Sequence, residues 1–138
     1  YFYWLHRWMH SPRWFRLVHR VHHQSYNPTP WAALSFHPLE ALLEIAIIPL
    51  VVFILPMHPI VLLLFSLWSL VWNVVGHLGF ELFPKGFIDH PITRWFNTST
   101  HHNMHHEKSN CNYGLYFNFW DWWMGTNDLK YGERFKRI

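Results

Sequence analysis

The 138 residues suffice for one domain, with 51% hydrophobic, 20% aromatic and only 14% charged residues. An ordinary soluble domain has about 25% charged residues, so the composition argues against a solvated globule. The formal charge of +3 is scattered near both ends without a basic run, which suits a membrane surface rather than nucleic acid. Cys111 is the single cysteine, which excludes an intrachain disulfide and a cysteine-based zinc site. The mean hydropathy of −0.04 hides strongly apolar segments behind 13 His and many Trp and Tyr.

Tyr1 to His10 reads as the end of a helix with His6 and His10 on one face. It lacks the charged start and apolar core of a secretory signal. The aromatic, helix-compatible start without Met marks the chain as a segment whose preceding membrane helices lie upstream. Ser11-Pro12 stops this helix and begins another, because Ser is a good N-cap and Pro suits the first helical position. That second helix runs from about Pro12 to His23 and ends at Asn27-Pro28-Thr29-Pro30. Trp31 to Phe36 is a short interfacial segment.

Pro38 opens a long apolar run, Leu39 to Leu55, with Glu40 and Glu44 near its start. Pro56-Met57-His58-Pro59 breaks it, and Ile60 to Val75 forms a second run that ends at Gly76-His77. Each run falls slightly short of the roughly 20 residues that span a bilayer. With flanking residues they are expected to form a transmembrane helical hairpin; two buried core helices in a soluble protein are the rival reading. Arg7, Arg13, Arg16 and Arg20 precede the hairpin, and Lys85, Arg94 and Lys108 follow it, whereas its tip has no Lys or Arg. By the positive-inside rule both ends face the cytoplasm, and the histidine clusters with them.

Leu78 to Phe96 is a Pro/Gly-punctuated connection with one short helix near Pro91 to Phe96. Asn97-Thr98-Ser99-Thr100 supplies caps for a helix bearing His101, His102, His105 and His106. Asn112-Tyr113-Gly114 turns the chain, Leu115 to Met124 is an aromatic helix or extended segment, and Gly125 to Ile138 reads as a basic surface tail. The expected fold is an all-α membrane protein, one domain over residues 1–138, with a cytosolic helical cap above the hairpin.

The densest chemistry is histidine. His19-Arg20-Val21-His22-His23 and His102-Asn103-Met104-His105-His106 share HxxHH spacing, and His6 and His10 form an i, i+4 pair. On a helix, i, i+3 and i+4 put three imidazoles on one face, within reach of a shared ion. The eight strongest candidates are His6, His10, His19, His22, His23, His102, His105 and His106, with His77 a ninth. A structural zinc site closes with four ligands, so this set is enough for two ions and too many for one. Imidazole binds Fe, Zn, Cu and Ni alike, so the ligands alone do not name the metal. The plainer reading of the same clusters is a basic, membrane-facing helix surface.

These motifs, with the lone His77 after the hairpin, Asn112-Tyr113-Gly114 and Trp120-Asp121-x-x-x-Gly125-Thr126, resemble the fatty acid hydroxylase/sterol desaturase superfamily of membrane di-iron oxygenases. The resemblance covers nearly the whole chain. It implies two Fe ions, for which Zn can substitute on purification, with O2 as co-substrate and a lipid substrate, either a fatty acyl chain or a sterol. It also implies an electron donor of the cytochrome b5 or ferredoxin/reductase type, and a home in the bacterial inner membrane or the endoplasmic reticulum. One departure stands out. Fatty acid 2-hydroxylase-like members carry a further histidine pair near the third motif, whereas this chain has His77-Leu78-Gly79-Phe80-Glu81. That resembles bacterial sterol desaturase-like and alkylglycerol monooxygenase-like branches, and it weakens a 2-hydroxylase substrate.

Glu81, at i+4 from His77, is expected to ligate or to hold a histidine. His101, His90, Asn73 and Glu44 are further candidates for orienting ligands, with Glu40 sharing the Glu44 face. Ionisable groups in membrane segments are functional candidates, though near a helix N-terminus they also favour the dipole. His37, before Pro38, is read as a helix start, and His58 is set aside because it lies at the opposite tip of the hairpin. Rival functions are a membrane metal-binding or transport protein, a bis-histidine haem protein and a metal-dependent lipid hydrolase without redox chemistry.

Overall fold

A computed structural model describes all of residues 1–138. The fold is helical and contains no strand; one isolated antiparallel bridge joins Phe96 to Phe117. Helix α1 spans Phe2–Met9, and Pro12 at the first position of α2 (Pro12–Trp14) restarts the chain after Ser11. The expected regular helix to His23 is broken up. Phe15–His19 forms a π-turn, closed by the Arg20 N–H on Phe15 O at 2.8 Å, and His22–Gln24 is a 3-10 turn. Single π-turns of this kind collect at functional sites.

The first apolar arm is two helices, α3 (Pro38–Ile45) and α4 (Ile47–Ile54), rather than one continuous run. Pro49 explains the break at Ala46, because it has no N–H to give the Ile45 carbonyl one turn earlier. Helix α5 (Pro59–Gly76, 18 residues) is therefore the one helix long and apolar enough to cross a membrane. Gly76 is its only buried residue. An apolar helix left uncovered by protein is stable only in an apolar surrounding, which distinguishes it from a core helix.

Three His-Pro pairs share one local structure. His37, His58 and His90 each turn Nδ1 back to accept the backbone N–H two residues on, from Leu39 (3.2 Å), Ile60 (3.2 Å) and Ile92 (3.3 Å). They are turn and helix-start residues. His90 is exposed in its loop and takes no part in orienting the clustered histidines, contrary to the expectation for it.

Helix α6 (Ser99–Lys108) is polar yet buried on most sides. Thr98 Oγ1 caps it by accepting the His101 N–H at 3.3 Å, as the sequence leads one to expect. Helices α7 (Phe119–Trp123) and α8 (Tyr131–Arg137) follow. The C-terminal segment is not a surface tail. Tyr131 and Phe135, one turn apart on α8, are buried against Met104 of α6, with Phe83, Phe87 and Ile88 around them. Gly76 permits the close approach of α5 to α6, since a Cβ there would lie 3.2 Å from Leu115 Cδ1 and 3.4 Å from His102 Cδ2.

Candidate metal centre

Nine histidines converge at the C-terminal end of α5 in two groups, each with ligand atoms within 4.8 Å of one another. The first group is His6, His10, His19, His23 and His105; the second is His22, His77, His102 and His106. They adjoin, with the rings of His23 and His106 stacked at 4.6 Å between centroids. All nine ligand candidates named from the sequence are in these groups.

The two HxxHH boxes do not each serve one ion. At about 100° per residue, i and i+4 are about 40° apart, whereas i+3 and i+4 diverge by about 100°. On α6, His102 and His106 therefore share the second group while His105 reaches the first. His19 and His23 share the first group while His22 reaches the second, across the π- and 3-10 turns. Each box bridges both groups, in opposite senses.

Backbone and carboxylate acceptors fix the rings. His6 Nδ1–H donates to Tyr113 O at 2.7 Å, His105 Nδ1–H to Cys111 O at 2.7 Å, His77 Nδ1–H to Asn73 O at 2.7 Å and His22 Nδ1–H to Ser35 O at 3.3 Å. His19 Nδ1–H donates to Glu40 Oε1 at 2.6 Å. With the proton on Nδ1, each Nε2 presents a lone pair. Those lone pairs face one another: His6 and His19 at 3.0 Å, His22 and His77 at 3.1 Å. His77 Nε2 also lies 3.0 Å from His102 Nε2 and 3.2 Å from His106 Nε2. Opposed lone pairs repel unless a cation lies between them. Ligands about 2.1 Å from one ion lie about 3.0–3.4 Å from each other in octahedral or tetrahedral sites, so the donors fit transition-metal ions.

Burial keeps these bases neutral. It lowers His6 and His77 from 6.5 to about 4, and His10, His23 and His106 to about 2, with neighbouring histidines adding to the effect in the last three. His19, His22, His102 and His105 are shifted down by the same causes. Neutral imidazole is the form that binds metal.

The closing loop is built by Asp121. Its Oδ1 accepts the Tyr113 N–H (2.8 Å) and the Thr126 hydroxyl (2.7 Å), and its Oδ2 the Gly114 N–H (2.7 Å). Gly114 admits no side chain, since a Cβ would lie 2.3 Å from Phe117 O.

The supporting residues named from the sequence fare unevenly. Asn73 acts, through its backbone oxygen on His77. Glu81 does not touch a histidine: its Oε2 accepts the Thr100 N–H (3.0 Å) and hydroxyl (2.6 Å), capping α6 while Oε1 takes Leu82 and Phe83 N–H. His101 points away from the groups, pairing with Asn127 Oδ1 at 3.1 Å and packing on Tyr131. Glu40, rather than Glu44, orients a ligand; the two share a face, but only Glu40 is fully buried beside His19.

A cavity of about 520 Å³ lies between the α3–α4 arm and α5, with mostly apolar walls. It shares Phe2, Phe36, Glu44, Asn73 and Leu115 with a void of about 10 Å³ bounded by His6, His19, His22, His77 and His102.

Histidine groups that could hold metal thus lie at the mouth of an apolar cavity, beside a helix long and apolar enough to cross a membrane. The sequence profile described as fatty acid hydroxylase matches residues 1–126, and the chain belongs to that family. A Delta(7)-sterol 5(6)-desaturase of Gibberella zeae is 32% identical over 125 residues, covering 91% of this chain and 37% of its own length. Lathosterol oxidases of Homo sapiens and Mus musculus are 34% and 35% identical, each covering 86% of this chain and 38% of their own length. The chain thus spans about two fifths of the length of these relatives. No solved structure matches it.

Proposed function

We propose that this chain is the metal-bearing part of an O2-dependent di-iron oxidoreductase that desaturates or hydroxylates a membrane lipid, and that the lipid is a sterol. The observation that carries this is the pairing of two adjoining histidine groups with an apolar cavity that opens beside them. The names of the relatives, sterol desaturase and lathosterol oxidase, support the substrate class.

In this reading His6, His10, His19, His23 and His105 would hold one iron and His22, His77, His102 and His106 the other. When bound, two irons would supply O2-dependent oxidising chemistry toward an unactivated C–H bond, with electrons from a cytochrome b5-type or ferredoxin/reductase donor. The protein's part is orientation and exclusion. Glu40, Tyr113, Cys111 and Asn73 hold Nδ1 protons so that Nε2 faces inward. The apolar cavity, within the roughly 300–1,000 Å³ of small-molecule sites, keeps water from the reacting carbon.

The α3–α4 arm and α5 form the hairpin, and the charge asymmetry favours the histidines on the cytoplasmic side of a bacterial inner membrane or the endoplasmic reticulum. A transport protein would need ligands along its span, and α5 carries no histidine between Pro59 and Gly76.

The test is metal and O2 stoichiometry on protein in detergent or nanodiscs. Two irons per chain, with sterol-dependent O2 consumption in the presence of a reductant, and loss of that O2 consumption together with at least one iron in a His105→Ala, His106→Ala variant, is the expected result. Sterol turnover without O2 consumption would replace the oxygenase by a hydrolase.

A further inference from the structure

The polar groups in the wall of the large cavity have unequal fates. Tyr1 donates its phenol proton to Leu43 O, Ser66 Oγ donates to Leu62 O at 2.9 Å, and the Asn73 amide donates to Ala33 O at 2.7 Å. The Tyr116 and Ser69 hydroxyls neighbour each other in the same wall. The Glu44 carboxyl, half-buried, has no hydrogen-bond or ion-pair partner.

Their positions differ. Ser69 lines only the large cavity, whereas Glu44 lines both that cavity and the histidine-bounded void. Of the five residues common to the two spaces, Phe2, Phe36 and Leu115 are apolar, and Asn73 commits its amide N–H to Ala33 and its backbone oxygen to His77, leaving only its neutral side-chain oxygen. Glu44 is the one carboxyl at the neck, and the stronger acceptor of the two. Nor is it a copy of Glu40, one turn earlier, whose Oε1 is taken by His19. An unpaired carboxyl facing an apolar chamber is costly to keep, and a ligand that brings a donor removes that cost.

We propose that Glu44 is the specificity-determining residue of this site: it accepts a hydrogen bond from a hydroxyl on the lipid and holds that hydroxyl at the neck. The apolar remainder of the molecule fills the cavity, and the carbons presented to the histidine groups are those within a few bonds of the hydroxyl. The substrate is then a hydroxylated polycyclic or long-chain lipid, oxidised near its polar end rather than at mid-chain. This rests on the lipid-oxidation reading above.

The test is equilibrium binding of a radiolabelled sterol, and of the same ring system lacking the hydroxyl, to the full chain in nanodiscs. Metal content serves as the check on folding. Wild type should favour the hydroxylated form by about ten- to a hundred-fold, as expected for a hydrogen bond to a charged or strongly polar acceptor. Glu44→Leu should bind the two forms alike at unchanged metal content, and Glu44→Gln, which keeps an acceptor oxygen, should retain most of the preference. If Glu44→Leu keeps the wild-type ratio, the role of Glu44 is overturned while the lipid reading stands. If wild type binds neither form, the lipid reading falls and takes this inference with it.

Discussion

Asp121 and His6 are joined through a single residue: Asp121 Oδ1 accepts the Tyr113 N–H at 2.8 Å, and the carbonyl of the same Tyr113 accepts His6 Nδ1–H at 2.7 Å. A carboxylate outside the ligand set therefore fixes the direction of a ring inside it. The neighbouring carbonyl of Cys111 holds His105, so one turn of chain steadies two members of the five-histidine group.

Replacing Asp121 by Ala should therefore weaken the five-histidine group selectively. Loss of groups that orient ligands costs about 10- to 100-fold in metal affinity. Competitive chelator titration is expected to show one ion per chain released early and the other retained. Equal loss of both ions would mean that the loop supports the fold and not one group.

The crossing of the HxxHH boxes predicts different outcomes for adjacent histidines. His106→Ala leaves three imidazoles in its group, and His105→Ala leaves four. Metal analysis should give close to one ion per chain for His106→Ala and close to two, more weakly held, for His105→Ala. Identical stoichiometries would show that the boxes act as single ligand sets.

Glu40 is tested by two substitutions. Glu40→Gln keeps an acceptor for His19 Nδ1–H and should lower affinity little. Glu40→Leu removes the acceptor and leaves a buried donor unpaired, which costs about 1–3 kcal/mol. The leucine variant should melt lower when metal-free and bind the first group's ion about 10- to 100-fold more weakly. Indistinguishable variants would relegate Glu40 to packing.

The metal-free protein should lose stability on acidification. The clustered histidines titrate near 6.5 when unfolded but near 4 for His6 and His77 and near 2 for His10, His23 and His106 when folded. Below pH 6.5 the unfolded chain binds protons that the folded one refuses, so stability present above pH 6.5 falls as pH drops toward 4. Each such histidine contributes up to about 1.4 kcal/mol per pH unit. Thermal melts of chelator-treated protein from pH 7.5 to 4.5 should show a steep decline, and a flat profile would place the histidines in contact with water.

The clustered histidines were legible in the sequence because HxxHH spacing, an i, i+4 pair and a histidine ending an apolar helix are local patterns. On α6 their distribution between the groups was also within reach, from the angle per residue; for His19, His22 and His23 it was not, because the chain there forms π- and 3-10 turns. The supporting contacts were not, because they are mostly backbone carbonyls of Tyr113, Cys111 and Asn73, which no side-chain pattern announces. Glu40 and Glu44 sit one turn apart on the same face, and only tertiary packing decides which meets His19. Glu81 looked like a carboxylate ligand because it stands four residues from His77. The chain bends at Gly79, where φ is +75°, and the carboxylate is delivered to the start of α6 instead. The basic C-terminal segment concealed the Tyr131 and Phe135 pair, whose burial required Met104 from another helix.

The opposite crossing of the two boxes also sets an order of assembly. As the chain emerges from its N-terminus, four of the five members of one group are present by residue 23, while the other group has only His22 until His77 and then α6 are made. On the proposed two-iron reading, a nascent chain offers four imidazoles to one ion early and no complete set to the second. Maturation of the pair would then be tied to synthesis of α6, and a chain cut short before it would lack a dinuclear centre.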